Sequence, residues 1–98
     1  MEINDDNFEE IIQKENKLLI KLGADWCKPC GNQDTILQSM EIPFPVYHVD
    51  VDHNPKIAEK LLCRGVPFLV LYKDQEKVSQ KIGLQSKERL QEWFDEVA

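Results

Sequence analysis

The residues best suited to chemistry are two of the three cysteines, Cys27 and Cys30, which are spaced C-x-x-C. The third, Cys63, stands alone. Three is an odd number and too few for the disulfide framework of a small secreted domain. In a reducing compartment, a C-x-x-C pair is typical either of metal binding or of thiol–disulfide redox chemistry. The choice between these two chemistries decides the function of the chain.

A zinc site would need two further ligands, which His48 and His53 could supply. Together with the cysteine pair they spell C-x2-C-x17-H-x4-H, which is close to a zinc-finger spacing. A finger, however, places both histidines on one helix, whereas His48 lies in an apolar, β-type run, Val46–Val51. The pattern therefore favours redox chemistry over zinc.

The cysteines belong to the segment Trp26–Cys30, which lies where a predicted strand ends and a predicted helix begins. The unpaired N–H groups and the macrodipole of a helix N-terminus favour an anion, so Cys27, at that position, ionises more readily to the thiolate. Cys30 lies one turn into the helix, close enough to bridge to Cys27 and more shielded from solvent. Pro29 suits the first helical turn, where the N–H it lacks would have no partner. Lys28 adds a positive charge beside Cys27.

Apolar periodicity and turn residues predict that helices and strands alternate along the chain. The predicted elements are a helix over 5–15 capped by Asn4–Asp6, a strand over 17–23, a helix over 28–40, a strand over 46–51, a helix over 56–63, strands over 68–72 and 77–82, and a last helix capped by Ser86. In the third helix, Ile57, Leu61 and Leu62 are predicted to face the core. This order predicts an α/β fold, with a central mixed sheet of four to five strands flanked by four helices on both faces.

Length, composition and charge limit the possible classes of function. Ninety-eight residues, of which 42% are hydrophobic, predict a single globular domain over residues 1–98. The net charge of −6 and the lack of a basic stripe argue against nucleic-acid binding. No apolar run approaches the roughly 18 residues needed to cross a bilayer, and the acidic start, Met1–Glu10, does not resemble a signal peptide. We therefore expect a monomeric protein of the cytoplasm.

Four segments together resemble the thioredoxin family, in the right order and over nearly the whole chain. They are Trp-Cys-x-Pro-Cys at Trp26–Cys30, Arg-Gly-Val-Pro at Arg64–Pro67, the start Asp5–Phe8, and Lys81–Gly83 before the last helix. A lone C-x-x-C is a weak indication, but its combination with Gly-Val-Pro before a later strand is specific. The resemblance implies a thioredoxin fold and dithiol–disulfide exchange.

In that mechanism, the resemblance implies that Cys27 is the attacking thiolate and Cys30 the resolving thiol. Cys27 attacks a substrate disulfide to form a mixed disulfide. Cys30 then attacks the Cys27 sulfur, which releases the reduced substrate and leaves a bridge between the two cysteines.

The resemblance also assigns residues that contact the substrate. It implies a cis peptide bond before Pro67, a proline that faces the cysteines, and it implies that the Val66 backbone pairs with an incoming peptide. Trp26 and Gly83 are expected to line the docking groove. Because a cis X-Pro bond is uncommon in folded proteins, the bond before Pro67 is a sharp structural prediction.

Three features depart from the family pattern. Where the family usually carries a buried acidic residue, six positions before the first cysteine, this chain has Lys21. A neutral amine there would act as a base toward the second thiol. A charged one would stabilise both thiolates and make the couple more oxidising. A lysine that reaches solvent along the strand margin would do neither. We hypothesise that the protein is less reducing than typical thioredoxins. In addition, the motif centre is Lys28–Pro29 instead of Gly-Pro, and the next helix lacks the usual kinking proline while Gly31 loosens its first turns.

Other side chains allow two interpretations. His48 is either structural or, because many family members carry a lysine there near the active site, a residue that tunes the thiols. Cys63, predicted on the third helix, is either a small packed cysteine or a regulatory thiol. His53 is expected to be a solvated turn residue, and Trp93 is expected to pack in the core.

The sequence therefore predicts a protein-disulfide reductase that uses the Cys27–Cys30 dithiol and needs no bound cofactor. The resemblance implies protein disulfides as substrates and a disulfide reductase as electron donor. A glutaredoxin-like, glutathione-linked enzyme is the nearest alternative, although such enzymes usually place proline directly after the first cysteine, where this chain has Lys28. The alternative from another class is a binding module that uses the same fold with idle thiols, against which the retention of both cysteines, Pro29 and Pro67 argues.

Overall fold

Helices and strands alternate in the predicted order over residues 1–97, which the computed structural model describes. The elements are α1 Phe8–Lys14, β1 Lys17–Gly23, α2 Lys28–Gln38, β2 Val46–Asp50, α3 Pro55–Lys60, β3 Phe68–Lys73, β4 Glu76–Ile82 and α4 Lys87–Glu96. Each predicted element is present, and the differences lie at its ends. No helix within residues 1–97 is long and apolar enough to cross a membrane.

The strands form one mixed sheet in the order β2-β1-β3-β4. β1 runs parallel to β2, whereas β3 is antiparallel to both β1 and β4. Because β1 lies inside the sheet and is covered on both faces, its sequence is a nearly continuous apolar run instead of an alternating one. β4 forms one edge, and its side chains are largely exposed. The predicted mixed sheet is confirmed, with four strands.

The sheet separates two apolar clusters, one on each face. On one face, β1 and β3 pack against Phe8 and Ile12 of α1 and against Ile57 of α3. On the other face, the alternate residues of the same strands pack against α2 and α4, including Leu37 and Trp93. The predicted core position of Trp93 and the predicted placement of helices on both faces are confirmed.

The first helix begins later than predicted, at Phe8. Asn4 Oδ1 accepts the backbone N–H groups of Asp6 and Asn7, each at 2.9 Å, and so builds a turn before the helix. The short side chain of an asparagine competes in this way with the helical hydrogen bonds of the residues that follow it.

The third helix ends earlier than predicted, at Lys60. Leu62 has a left-handed φ of 56°. The Leu62 and Cys63 N–H groups donate back to the carbonyls of Glu59 and Ala58 at 3.1 and 2.9 Å, which is the Schellman pattern of a helix end. This turn directs Leu62 outward, where it is 65% exposed, so the prediction that Leu62 faces the core is wrong. Cys63 lies beyond the helix and not on it.

Candidate active site

Cys27 and Cys30 lie where β1 passes into α2, as the sequence predicts. Cys27 is the N-cap residue of α2, and its Sγ accepts the backbone N–H of Cys30 at 3.2 Å. The two side chains form a disulfide bond, with the Cα atoms 5.3 Å apart. Cys27 is 7% exposed and Cys30 is 2% exposed. The helix-terminal position of the first cysteine and the greater shielding of the second are thus confirmed.

The start of α2 favours negative charge on the Cys27 sulfur. The first N–H groups of a helix lack the carbonyl partner of the preceding turn, and the one from Cys30 donates to both the carbonyl and the Sγ of Cys27, each at 3.2 Å. Pro29 lies in this first turn, where its missing N–H removes no hydrogen bond. Lys28 and Pro29 are exposed, so the front of the motif is open to a partner. Cys27 is thus the more exposed of the two cysteines.

Trp26, directly before the cysteines, is 71% exposed. Its Nε1 donates to Asp52 Oδ2 at 2.9 Å, which fixes the orientation of the indole. A large aromatic surface held open in this way suits contact with another molecule. The sequence did not single out Asp52, because an acidic residue in a turn is ordinarily only solvated.

The register of the sheet brings the Pro67 loop to the end from which the cysteine segment leaves. The end of β1, the start of β3 and the end of β4 are neighbours, so Pro67 and Gly83 lie at this same end. The Val66–Pro67 peptide bond is cis, as predicted. The Gly83 N–H donates to the Pro67 carbonyl at 2.9 Å, and Gly83 has a φ of 85°, which favours glycine.

Lys21 is buried near the cysteines and does not reach solvent. Its side chain is 7% exposed, and Nζ lies 2.9 Å from Asp34 Oδ1. A Cβ placed on Gly23 would lie 2.7 Å from Lys21 Nζ and 3.3 Å from Cys30 Cβ. The ammonium and Cys30 therefore flank the same small space, and the interpretation of Lys21 as a lysine that reaches along the strand margin is wrong.

Asp34 pairs with Lys21 from one helical turn beyond Cys30 on α2. Its Oδ1 is buried, and no described residue donates a hydrogen bond of good geometry to it. His48, the neighbour of Lys21 in the β1–β2 register, places Nδ1 3.5 Å from the same oxygen. Burial lowers the pKa of His48, and the Asp34 carboxylate partly opposes that shift. The sequence missed Asp34, because an acidic residue on a helix is usually part of a solvated face.

Gln33 and Gln85 join α2 to the loop that follows β4. Gln33 is fully buried; its Nε2 donates to the Gln85 carbonyl at 3.2 Å, and its Oε1 accepts the Gln85 N–H at 2.8 Å. The Gln85 side chain in turn donates to the carbonyls of Ile82 and Gly83, at 3.2 and 3.1 Å. The sequence holds one indication of this pair, since Gln33 lies on the same helical face as the apolar Leu37.

The remaining histidine and cysteine have local partners. The Nδ1 of the exposed His53 lies 2.8 Å from Asp50 Oδ2, and this hydrogen bond raises the pKa of His53 and lowers that of Asp50. The Cys63 thiol donates to the Gly65 carbonyl at 3.4 Å, and burial raises the pKa of the thiol. Within residues 1–97, no group of three or more His, Cys, Asp or Glu side chains is placed to hold a metal ion.

Comparison with known proteins gives one consistent result. The family model for thioredoxin matches residues 1–96. Thioredoxins from Rickettsia bellii and Staphylococcus haemolyticus are 31% and 34% identical to this chain, over 95% and 97% of this chain and 93% and 94% of their own. Among solved structures, a mutant thioredoxin from Halobacterium salinarum NRC-1 and the oxidized form of mitochondrial thioredoxin 3 from Saccharomyces cerevisiae superpose with TM-scores of 0.89 and 0.85. Each is 27% identical and covers 98% of this chain, over 88% and 93% of its own length. The predicted thioredoxin fold is confirmed, and the chain belongs to the thioredoxin family.

Proposed function

We propose that this protein reduces disulfide bonds in other proteins, with Cys27 as the nucleophile and Cys30 as the resolving thiol. A thioredoxin family member with a bonded C-x-x-C pair is a dithiol–disulfide oxidoreductase. Reduction as the direction, proteins as the substrates and the separate roles of the two sulfurs are our proposal. The observation that carries it is Cys27 at the N-cap of α2, with Cys30 covered one turn behind.

In the proposed reaction, the Cys27 thiolate attacks one sulfur of a substrate disulfide. A bond forms between Cys27 and that sulfur, the substrate S–S bond breaks, and the second substrate sulfur leaves as a thiolate that takes up a proton. Cys30 then loses its proton and attacks the Cys27 sulfur, so that the mixed disulfide breaks and the other substrate thiol is released. Two electrons pass to the substrate, and the Cys27–Cys30 disulfide remains on the protein.

We propose that the substrate docks as an extended peptide beside Pro67, with the Val66 backbone pairing with it. Trp26 and Gly83 line the groove in this proposal. Two observations support it. The Trp26 indole is exposed and oriented by a hydrogen bond, and the Gly83 N–H donates a hydrogen bond to the Pro67 carbonyl. Because backbone pairing reads few side chains, a broad range of substrates is expected.

The oxidised pair must be reduced again before the next turnover, and we propose a disulfide reductase as the donor. No bound cofactor is needed, because the dithiol itself carries both electrons. A reductant works only where its donor keeps it reduced, so the cytoplasm is the proposed location. We also propose that residues 1–98 act as a single domain and as a monomer, because one chain carries both sulfurs and the groove beside them.

We propose that Lys21 makes the couple less reducing than that of typical thioredoxins. Its ammonium is buried on the far side of a small space from Cys30. A positive charge there stabilises the thiolates of the reduced form, and a more stable reduced form has a higher reduction potential. Lys21→Asp is expected to lower the midpoint potential, and an unchanged midpoint would contradict the role of Lys21.

The reductase proposal is tested by titrating the protein against graded dithiol buffers and counting free thiols by alkylation and mass. We expect one two-electron couple, with a midpoint between about −270 mV, typical of a thioredoxin-like reductant, and about −120 mV, typical of a strong thiol oxidant. Cys30→Ser is expected to accumulate a mixed disulfide with a protein substrate, and Cys27→Ser to form none. Cys63→Ser is the matched control and is expected to behave as the wild type.

Other results would point to the alternatives. If no intramolecular bridge forms at any buffer potential, the reductase proposal is wrong and a metal site or a binding module takes its place. Turnover that depends on glutathione would indicate a glutaredoxin-like enzyme. Partner binding that survives both Cys27→Ser and Cys30→Ser would indicate a module with idle thiols.

A further inference from the structure

The buried Lys21 and the partly buried Asp34 form an ion pair beside the cavity that Cys27 and Cys30 line, and the two charges come from different elements. We propose that Asp34 tunes the redox centre: it pairs with the Lys21 ammonium and offsets its charge, and the two opposite charges together set the equilibrium between dithiol and disulfide. This inference rests on the proposed function of Cys27 and Cys30 and adds Asp34 to the groups that govern it.

The space that receives the ammonium exists because residue 23 is a glycine. A Cβ on Gly23 would meet Lys21 Nζ at 2.7 Å, Lys21 Cε at 3.1 Å and Cys30 Cβ at 3.3 Å. The end of the lysine side chain and the second cysteine therefore border the same space beside Gly23. Because Lys21 is buried, water and salt screen a positive charge at this location only weakly, and its field extends to Cys30.

Asp34 is placed to pair with that ammonium. It follows Cys30 by four residues on α2, so both side chains lie on the same helical face. Its buried Oδ1 lies 2.9 Å from Lys21 Nζ and 3.5 Å from His48 Nδ1. The rest of the carboxylate is partly exposed to an open cavity of about 740 Å³, which Cys27 and Cys30 also line. Because an unpaired buried charge is unfavourable, the Asp34 carboxylate compensates the charge of the buried Lys21 ammonium.

The two charges act oppositely on the reaction. Oxidation removes two electrons and two protons from Cys27 and Cys30 and joins their sulfurs, while the electrons convert the substrate S–S bond to two thiols. Negative charge develops only on the reduced side, when a thiol becomes a thiolate. The Lys21 ammonium stabilises that charge, and the Asp34 carboxylate destabilises it. Removal of the ammonium is therefore expected to lower the reduction potential, and removal of the carboxylate is expected to raise it.

Midpoint potentials of charge-removing variants test the inference. Asp34→Asn leaves the ammonium uncompensated and is expected to raise the midpoint by about 30 mV, a tenfold shift in the equilibrium constant. Lys21→Met leaves the carboxylate uncompensated and is expected to lower it by a similar amount. The double variant lacks both charges. Its equilibrium constant is expected to lie within about twofold of the wild-type value, which is a shift in midpoint of less than about 10 mV.

A control separates this effect from the net charge of the chain. Asp74→Asn removes one carboxylate from the β3–β4 turn, at the opposite end of the sheet, and is expected to shift the equilibrium constant by less than twofold. If Asp34→Asn and Lys21→Met both stay within twofold of the wild type, or shift in the same direction, the inference is overturned while the reductase proposal stands. A wild type with no two-electron couple overturns both.

A charge-exchanged variant keeps the test decisive if a single variant fails to fold, as judged by circular dichroism. Lys21→Asp with Asp34→Lys preserves the pair and the net charge but places the carboxylate on β1, on the side of Cys30. We expect its midpoint to fall by about 30 mV, a tenfold shift. A midpoint equal to that of the wild type overturns the inference.

Discussion

The hydrogen bonds of Gln33 give the most direct test of how the fold positions the site. Gln33 is fully buried in α2, and its side chain pairs with both the N–H and the carbonyl of Gln85. Gln85 itself is bonded to the carbonyls of Ile82 and Gly83. We predict that Gln33→Leu, which keeps a similar volume but removes the amide, destabilises the protein and loosens the loop after β4.

The magnitude follows from the two backbone groups that lose their partner. Each buried polar group left without a hydrogen bond costs about 1–3 kcal/mol, and the better burial of leucine offsets part of this by about 1 kcal/mol. We therefore expect Gln33→Leu to lower the free energy of unfolding by about 3 kcal/mol. For a domain of this size that corresponds to a fall in Tm of about 12–24 °C.

The measurement is urea and thermal unfolding of the oxidised protein, followed by circular dichroism. Gln38→Leu is the matched control: the same substitution on the same helix, at an exposed residue for which the described structure shows no side-chain hydrogen bond. A second readout is the KM for a protein disulfide, which is expected to rise only for Gln33→Leu because Gly83 lies in the loosened loop. If Gln33→Leu unfolds within 0.5 kcal/mol of the control, about the scatter of surface substitutions, the reasoning is refuted.

Three further predictions concern the helix end, the histidines and the third cysteine. Leu62→Gly is expected to raise the free energy of unfolding by up to about 1 kcal/mol, because glycine adopts the φ of 56° without steric cost. Thermal unfolding measures this change, and a lower free energy of unfolding would contradict the prediction. Burial lowers the pKa of His48 from 6.5, so its stabilising contribution is lost as the pH falls below about 6.5. The hydrogen bond to the Asp50 carboxylate raises the pKa of His53, so its stabilising contribution is lost as the pH rises above about 6.5. Urea unfolding of His48→Asn and His53→Asn at pH 5.5 and 7.5 is expected to change the pH dependence in opposite senses, and a shared sense would refute the assignment. Burial raises the pKa of the Cys63 thiol, so alkylation of Cys63 at pH 8 is expected to be slower in the folded protein than in urea, and equal rates would count against its burial.

Features that depend on neighbouring residues could be predicted from the sequence. The apolar run of β1 indicates a strand covered on both faces, and its predicted bounds agree with the structure. Ser86 was predicted to cap the last helix, and its hydroxyl accepts the Arg89 N–H at 3.2 Å. Cys27 was placed at a helix N-terminus in the same way. The cis bond before Pro67 came from the family resemblance and is also present.

Contacts between residues far apart in the chain depended on the tertiary structure. The Gln33–Gln85 hydrogen bonds join residues 52 positions apart, and the Trp26–Asp52 hydrogen bond spans 26. Such pairs form only when strand register and helix packing bring two elements together, and each partner alone has an ordinary local sequence.

The environment of Lys21 depends on both the sequence and the tertiary structure. The sequence by itself determined that a lysine lies on the strand that leads to Cys27, and therefore that a positive charge is available near the redox pair. Whether that charge reaches solvent or lies beside Cys30 was decided by the tertiary structure, in which Gly23 leaves space for the ammonium and Asp34 pairs with it from α2. The physical reason is that a buried charge is stable only beside its partner, and the partner of Lys21 comes from another element of the fold.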